Sequence, residues 1–178
     1  MEQSLRRLKM TSVPLHQLHD KLGSGDHQLP LNEVMRSDGV LDALDRIQAE
    51  GLTEFVGFTA LGDASACRAV VQSGRVDTAQ VYYNLINPSA GQQVPPGFDQ
   101  QDFGRLIERA EASNTGVIVI RVLAAGALSG EEARHPVAVP TVAPIGSGRD
   151  YAQDLDRAAM FDFLVEEGHV DGMVEAAV

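Results

Sequence analysis

The sequence predicts an α/β fold, about four parallel strands with flanking helices, and three observations carry that expectation. Short runs rich in β-branched or aromatic residues recur along the chain, and each is followed by a segment with helical spacing of its apolar residues. The distance from one run to the next suits right-handed βα crossovers, which place successive strands side by side and parallel and cover both faces of the sheet.

The chain opens in an amphipathic helix, "EQSLRRL", ahead of the first strand, Val13 to Leu18. A polar loop, "DKLGSGDHQLPLNE", leads to "DGVLDALDRIQAEG", where Val40, Leu41, Leu44 and Ile47 share one helical face and Gly51 supplies the stop. After the second strand, Phe55 to Thr59, Asp63 is placed to cap a helix whose buried stripe is Cys67, Val70 and Val71, closed by Gly74. The third strand, Thr78 to Leu85, runs into the loop "NPSAGQQVPPG" and then, from Asp99, the helix "QQDFGRLIERAEAS". The fourth, Val117 to Val122, is followed by "SGEEARHPVAVPTVAPIGSG", a helix from about Asp150 to Glu167, and a last helix-like stretch, "VDGMVEAAV". Four such units amount to half of an eight-unit barrel. The expectation is therefore a partial (β/α)8 TIM barrel in one domain over residues 1–178, short of further units at both ends.

With 178 residues, 44% hydrophobic and 22% charged, the chain has the make-up of a globular domain that buries a core. Its formal charge is −11, with the basic residues scattered, so its field repels phosphate backbones and anionic membrane surfaces. Neither nucleic acid nor a membrane is an expected partner. A single cysteine, Cys67, excludes an internal disulfide framework, and "MEQSLRRLKM" lacks the apolar stretch of a signal peptide, so a cytoplasmic location is expected. The longest apolar run, "GVIVIRVLAAGAL", is too short to span a bilayer and contains Arg121.

Two histidines three apart in "VPLHQLHD" pose the functional question. On a strand side chains alternate, so His16 and His19 point to opposite faces and cannot share a metal, whereas Gln17 shares a face with His19. His19 comes last, at the carboxyl end of the strand, where barrels and open α/β sheets place their sites. Position alone leaves two readings open: an active-site histidine, or a strand-end histidine hydrogen-bonded to a loop.

Four local stretches bear on this. "SLRRLKMTSVPLHQLHD" resembles the aldo-keto reductase segment in which a helix leads into the fourth barrel strand and its catalytic histidine. "AEGLTEFVGFTA", "DTAQVYYNLINP" and "GVIVIRVLAAGALSG" are similar to that family's fifth, sixth and seventh strands, in the same order and at the same gaps. The resemblance implies NADP-dependent reduction of an aldehyde or ketone by hydride transfer. His19 would be the histidine that orients the carbonyl oxygen. Thr59 matches the residue at the end of strand five, Gln80 the glutamine that binds the nicotinamide amide, and Leu123 the loop leucine beside the pyrophosphate. Ala60 stands where many members have an asparagine, Ile120 where an aromatic often stacks on the nicotinamide, and Arg121 with Val122 where Ser-Pro is usual, with Arg121 expected as the fourth cofactor-binding residue beside Thr59, Gln80 and Leu123.

The family's aspartate, tyrosine and lysine belong to earlier strands, which this chain does not contain, so the chain alone is expected to be inactive. Lys21 with Tyr82 is the one substitute pair the sequence offers. Pro14 replaces an aspartate common in strand four and suits an open sheet edge. "PIGSGRD" reads as a turn, or as a small anion nest with Arg149. Cys67 reads as core filling, and His27, His135 and His169 as loop residues without partners at ligand spacing. No metal is expected. The rival reading is a non-enzymatic half-barrel module that binds a partner or associates with itself through its open edges.

Overall fold

The computed structural model describes residues 1–131, 133–139 and 142–178. The elements run α1 (Glu2–Leu8), β1 (Val13–Leu18), α2 (Leu31–Met35), α3 (Val40–Ala49), β2 (Thr53–Ala60), α4 (Ala64–Gln72), β3 (Thr78–Tyr82), α5 (Leu106–Ala112) and β4 (Gly116–Ile120). A 3-10 turn over Ala124–Ser129 follows, then α6 (Tyr151–Ala159), α7 (Phe163–Glu166) and α8 (Met173–Ala177). The strands form one sheet in the order β1-β2-β3-β4, and the expected α/β class, four parallel strands with flanking helices, is what the chain adopts.

The chain divides into two compact units, one of residues 1–81 and 106–118, the other of 82–105 and 119–178. In the first unit β1 is the edge strand, and Pro14, exposed there, takes no place in the ladder. Alternation along β2 sorts its two faces: Val56 and Phe58 are 1% and 0% exposed, while Phe55, level with Leu15 of β1, is 45% exposed. The buried face is packed by helices. Leu41 and Leu44 of α3 and Cys67, Val70 and Val71 of α4 are all buried, as their spacing predicts. Asp63 caps α4, its carboxylate accepting from the backbone N–H groups of Ser65 (2.7 Å) and Ala66 (3.2 Å).

The loops at the carboxyl ends of β1 and β2 are tied together by backbone bonds. Leu22 N–H donates to Leu61 O (2.8 Å) and Asp63 N–H to Leu22 O (2.7 Å). Gly62 permits that approach, since a β-carbon there would lie 2.0 Å from Leu22 O.

In the second unit Ile86, Ala124, Ala127, Leu128, Ala158 and Met173 form a buried cluster, with Tyr151, Leu155, Phe161 and Val165 packed on it. Two helices are shorter than their sequence pattern. The stretch from residue 100 does not become helical until Leu106, because Phe103 N–H donates to Ser89 Oγ (3.0 Å), Arg105 N–H to Ser89 O (2.9 Å), and Gly104 and Arg105 take left-handed φ of 62° and 54°. The helix from Asp150 breaks after Ala159 and resumes at Phe163, so that both Phe161 and Val165 turn toward the cluster. A short helix, α2, forms where the pattern gave only loop.

Candidate cofactor-binding site

On the face opposite Val56 and Phe58, the carboxyl-terminal halves of β1 and β2 and the start of β3 carry polar side chains, and the parallel register explains their geometry. Gln17 of β1 is level with Gly57 of β2, which is level with Thr78 of β3; one step on, Thr59 is level with Gln80. Because the strands are parallel and in step, these five residues share one face and form two adjacent rows.

Gln17 reaches across the whole width of β2. Its Nε2 donates to Thr78 Oγ1 at 3.2 Å. The lane it uses exists because residue 57 has no side chain: a β-carbon there would stand 2.1 Å from Thr78 Oγ1 and 3.1 Å from Gln17 Nε2. Gln80 Nε2 donates back to Gln17 Oε1 at 2.8 Å, and Thr59 Oγ1 donates to Gln80 Oε1 at 3.0 Å. The four polar side chains thus form one directed chain, Thr59 to Gln80 to Gln17 to Thr78.

The expected cofactor residues Thr59 and Gln80 are brought together directly. Thr59 is buried and Gln80 half-buried. A primary carboxamide has two N–H donors and two acceptor lone pairs, and Gln80 uses one of each inside the chain. The remaining N–H and lone pair make the complement of another primary carboxamide. That donor set fits the amide of a nicotinamide ring.

His19 follows directly on β1, exposed at the carboxyl end of the strand. Next to it the Asp20 carboxylate accepts from the Lys21 backbone N–H at 2.8 Å, which turns the chain into the loop. His16, pointing to the other face, has its pKa lowered by burial and, to a smaller degree, by the charge of the chain's amino terminus. Among the described residues no group of three His, Cys, Asp or Glu side chains is placed to hold a metal ion. Cys67 is buried against Leu61 O at 3.5 Å, and burial pushes its thiol up to about 12, which leaves it without thiolate character.

Arg121 and Leu123, the other two expected cofactor residues, lie in the second unit. The Arg121 carbonyl accepts from Asn84 Nδ2 (2.9 Å) and from Ala124 N–H (2.8 Å), with a left-handed φ of 61°. The Leu123 carbonyl accepts from Gly126 N–H (2.7 Å), while Leu123 lines a cavity of about 870 Å3 with Tyr83, Asn84, Val122 and Phe161.

Tyr82 is 1% exposed and stacks on Phe103 at 5.4 Å between ring centroids. Its hydroxyl acidity is weakened first by burial, against hydrogen bonds with Ser147 and Asn84, so its environment is that of a core aromatic. "PIGSGRD" is a packed turn: Gly146 O accepts from Asn87 Nδ2 (2.5 Å), and Ser147 Oγ donates to the buried Asp154 carboxylate (2.8 Å). Asp150 and Asp154 lie beside it, and Arg157 is paired to Asp99 at 2.7 Å.

Sequence reasoning missed Gln17, Gly57 and Thr78 as parts of the site. Gln17 was visible only as a neighbour on the face of His19, and nothing local marks a glycine in a strand as the floor of a side-chain lane.

A profile of the Aldo/keto reductase family matches residues 1–177. No curated protein sequence matches the chain. Among solved structures, the glycerol dehydrogenase of Gluconobacter oxydans superposes with a TM-score of 0.60 at 18% identity, covering 99% of this chain and 48% of its own. An aldo-keto reductase of Bacillus halodurans, in its holo form, gives 0.51 at 18% identity over 78% of this chain and 39% of its own. The chain therefore spans about half the length, or less, of these two structures.

Proposed function

The chain belongs to the aldo/keto reductase family, and we propose that it carries the nicotinamide-facing and carbonyl-orienting part of an NADP(H)-dependent reductase of aldehydes or ketones. The observation that carries this reading is the Gln80 carboxamide, held at both ends and left with one donor and one acceptor for a second amide. Bound NADPH would supply the hydride. Thr59 and Gln80 fix the ring's amide, and His19, at the open end of β1, presents an imidazole N–H to the carbonyl oxygen on which negative charge develops. The family resemblance also assigns Arg121 and Leu123, in the second unit, to cofactor binding.

The remaining requirement is a proton donor for the alkoxide. Tyr82 does not meet it, because a buried, stacked phenol of weakened acidity is a poor acid at neutral pH. The chain by itself therefore binds cofactor without turning over carbonyls. Calorimetric titration with NADPH, followed by NADPH-consumption assays on a panel of aldehydes, tests both halves. Saturable binding weakened by Gln80→Leu supports the reading; NADPH oxidation that disappears in His19→Ala would overturn the statement that this chain is inactive.

A second reading rests on the edge position of β1 and the 45% exposure of Phe55 on the sheet face: a half-barrel that associates with a copy of itself. Its signature is a dimer in light scattering with no nicotinamide affinity. A monomer of 19.1 kDa contradicts it.

A further inference from the structure

We propose that Gln17 is a positioning residue: reaching over Gly57 to Thr78, it holds the Gln80 carboxamide by tying that amide's facing to its own, and so lets the site select a nicotinamide amide. The proposal rests on the reading of Gln80 as the residue that meets that amide.

The two side-chain neighbours of Gln80 differ in whether they tell its oxygen from its nitrogen. Thr59 cannot, because a hydroxyl accepts as readily as it donates, so either end of the carboxamide satisfies it. Gln17 can. Its Oε1 receives Gln80 Nε2 at 2.8 Å, and turning Gln80 alone would set two carbonyl oxygens against each other. Gln17 is itself held by its bond to Thr78 Oγ1 at 3.2 Å. Thr78, like Thr59, satisfies either end of an amide, so the two amides turn only together, and the facing of the free N–H and lone pair of Gln80 is tied to that of Gln17.

Gly57 is part of the device. Its register places it between Gln17 and Thr78, and any β-carbon there closes the lane at 2.1 Å from Thr78 Oγ1 and 2.6 Å from Thr78 O. Since the second of those contacts is backbone, it cannot be relieved by a side-chain rotation.

The test uses the full chain and two independent readouts. In amide NMR spectra of the cofactor-free protein, the Gln80 side-chain NH2 pair is assigned by its loss in Gln80→Leu. The proposal expects it to be shifted from solvent values in wild type and in Gln17→Glu, which keeps the acceptor, and to move to solvent values in Gln17→Leu and Gly57→Ala. Cofactor titrations then compare NADPH with its 3-acetylpyridine analogue, which lacks the amide N–H donors, and with 2′-phospho-ADP-ribose, which lacks the ring. Gln17→Leu should reduce the preference for NADPH over the analogue by about five- to tenfold, the size of one hydrogen bond, and leave 2′-phospho-ADP-ribose unchanged. Gln17→Glu should restore most of the preference. An unchanged Gln80 resonance in Gln17→Leu, or a preference that survives it, overturns the proposal while the cofactor reading stands. A wild-type chain that binds none of the three compounds overturns that reading and the selectivity claim with it.

Discussion

Gln17 on β1 and Thr78 on β3 are joined by a hydrogen bond of 3.2 Å although β2 runs between them, and they meet because the residue between them is Gly57. Strand neighbours two apart are separated by roughly twice the ladder spacing of about 4.8 Å, beyond the reach of most side-chain pairs. A glutamine lying flat over a glycine covers that span. A polar row is thus built into a sheet whose other face buries Val56, Phe58, Ala79 and Val81.

Gly57→Ala should therefore cost more than an ordinary strand substitution. The added methyl meets the Thr78 hydroxyl and carbonyl, and overpacking of this kind costs about 1–3 kcal/mol. Denaturant unfolding followed by circular dichroism measures it; a loss near zero would mean that the strands part freely at this point.

Thr59→Val keeps the shape of a buried side chain and removes the hydroxyl that donates to Gln80 Oε1. The expected loss is about 1 kcal/mol of stability, together with weaker NADPH binding. Unfolding and titration of the same preparation separate the two effects.

Asp63 is held below the usual carboxylate range first by the Ser65 hydroxyl and then by the N–H groups of Ala66 and Ser65. A depressed folded pKa gives stability that is present above the ordinary value of 3.8 and is lost as pH falls through the folded value. Asp63→Ala should cost about 1 kcal/mol at pH 7 through loss of the α4 cap, with the gap to wild type closing below about pH 4. A gap independent of pH would rule out the carboxylate as its source.

Asp154 shows the opposite sign. Burial raises its pKa, against the Ser147 hydrogen bond and the Arg157 charge. A raised folded pKa gives stability that is full below 3.8 and is lost as pH rises through the folded value. Relative to Asp154→Asn, the wild-type melting temperature should climb as pH is lowered from 7 toward 4, measured by scanning calorimetry. Parallel pH curves for the two proteins would refute the burial argument.

Cys67 should be silent toward a disulfide reagent in the native chain at pH 8 and react at once in guanidinium, since its thiol is pushed up to about 12. Its contribution to stability is present below the ordinary value of 9.0 and is lost between there and about 12. Stoichiometric reaction of the folded chain at pH 8 would contradict the packing of α4 described above.

These residues also show which parts of the molecule the amino-acid order made legible. Asp63 and the stripe of Cys67, Val70 and Val71 carry local signals, a cap and a helical period, and both took their expected places. Thr59 and Gln80 were singled out through a resemblance to known strands, and the structure joins them. The Gln17 to Thr78 bond was not legible, because it depends on register across 61 residues of sequence. Nor was the late start of α5, where Ser89, 14 residues upstream, captures the Phe103 N–H and unwinds a stretch whose local pattern is helical. Tertiary hydrogen bonds overrode propensity there, and propensity was all the local sequence offered.

Under the proposed function this polar face receives a nicotinamide amide. Saturation-transfer NMR on NADPH mixed with the wild-type chain tests it most directly, because each ring of the cofactor reports its own proximity to protein. Strong transfer to the nicotinamide protons, lost in Gln80→Leu, is the expected result. Transfer to the adenine protons alone, or to neither ring, would contradict it.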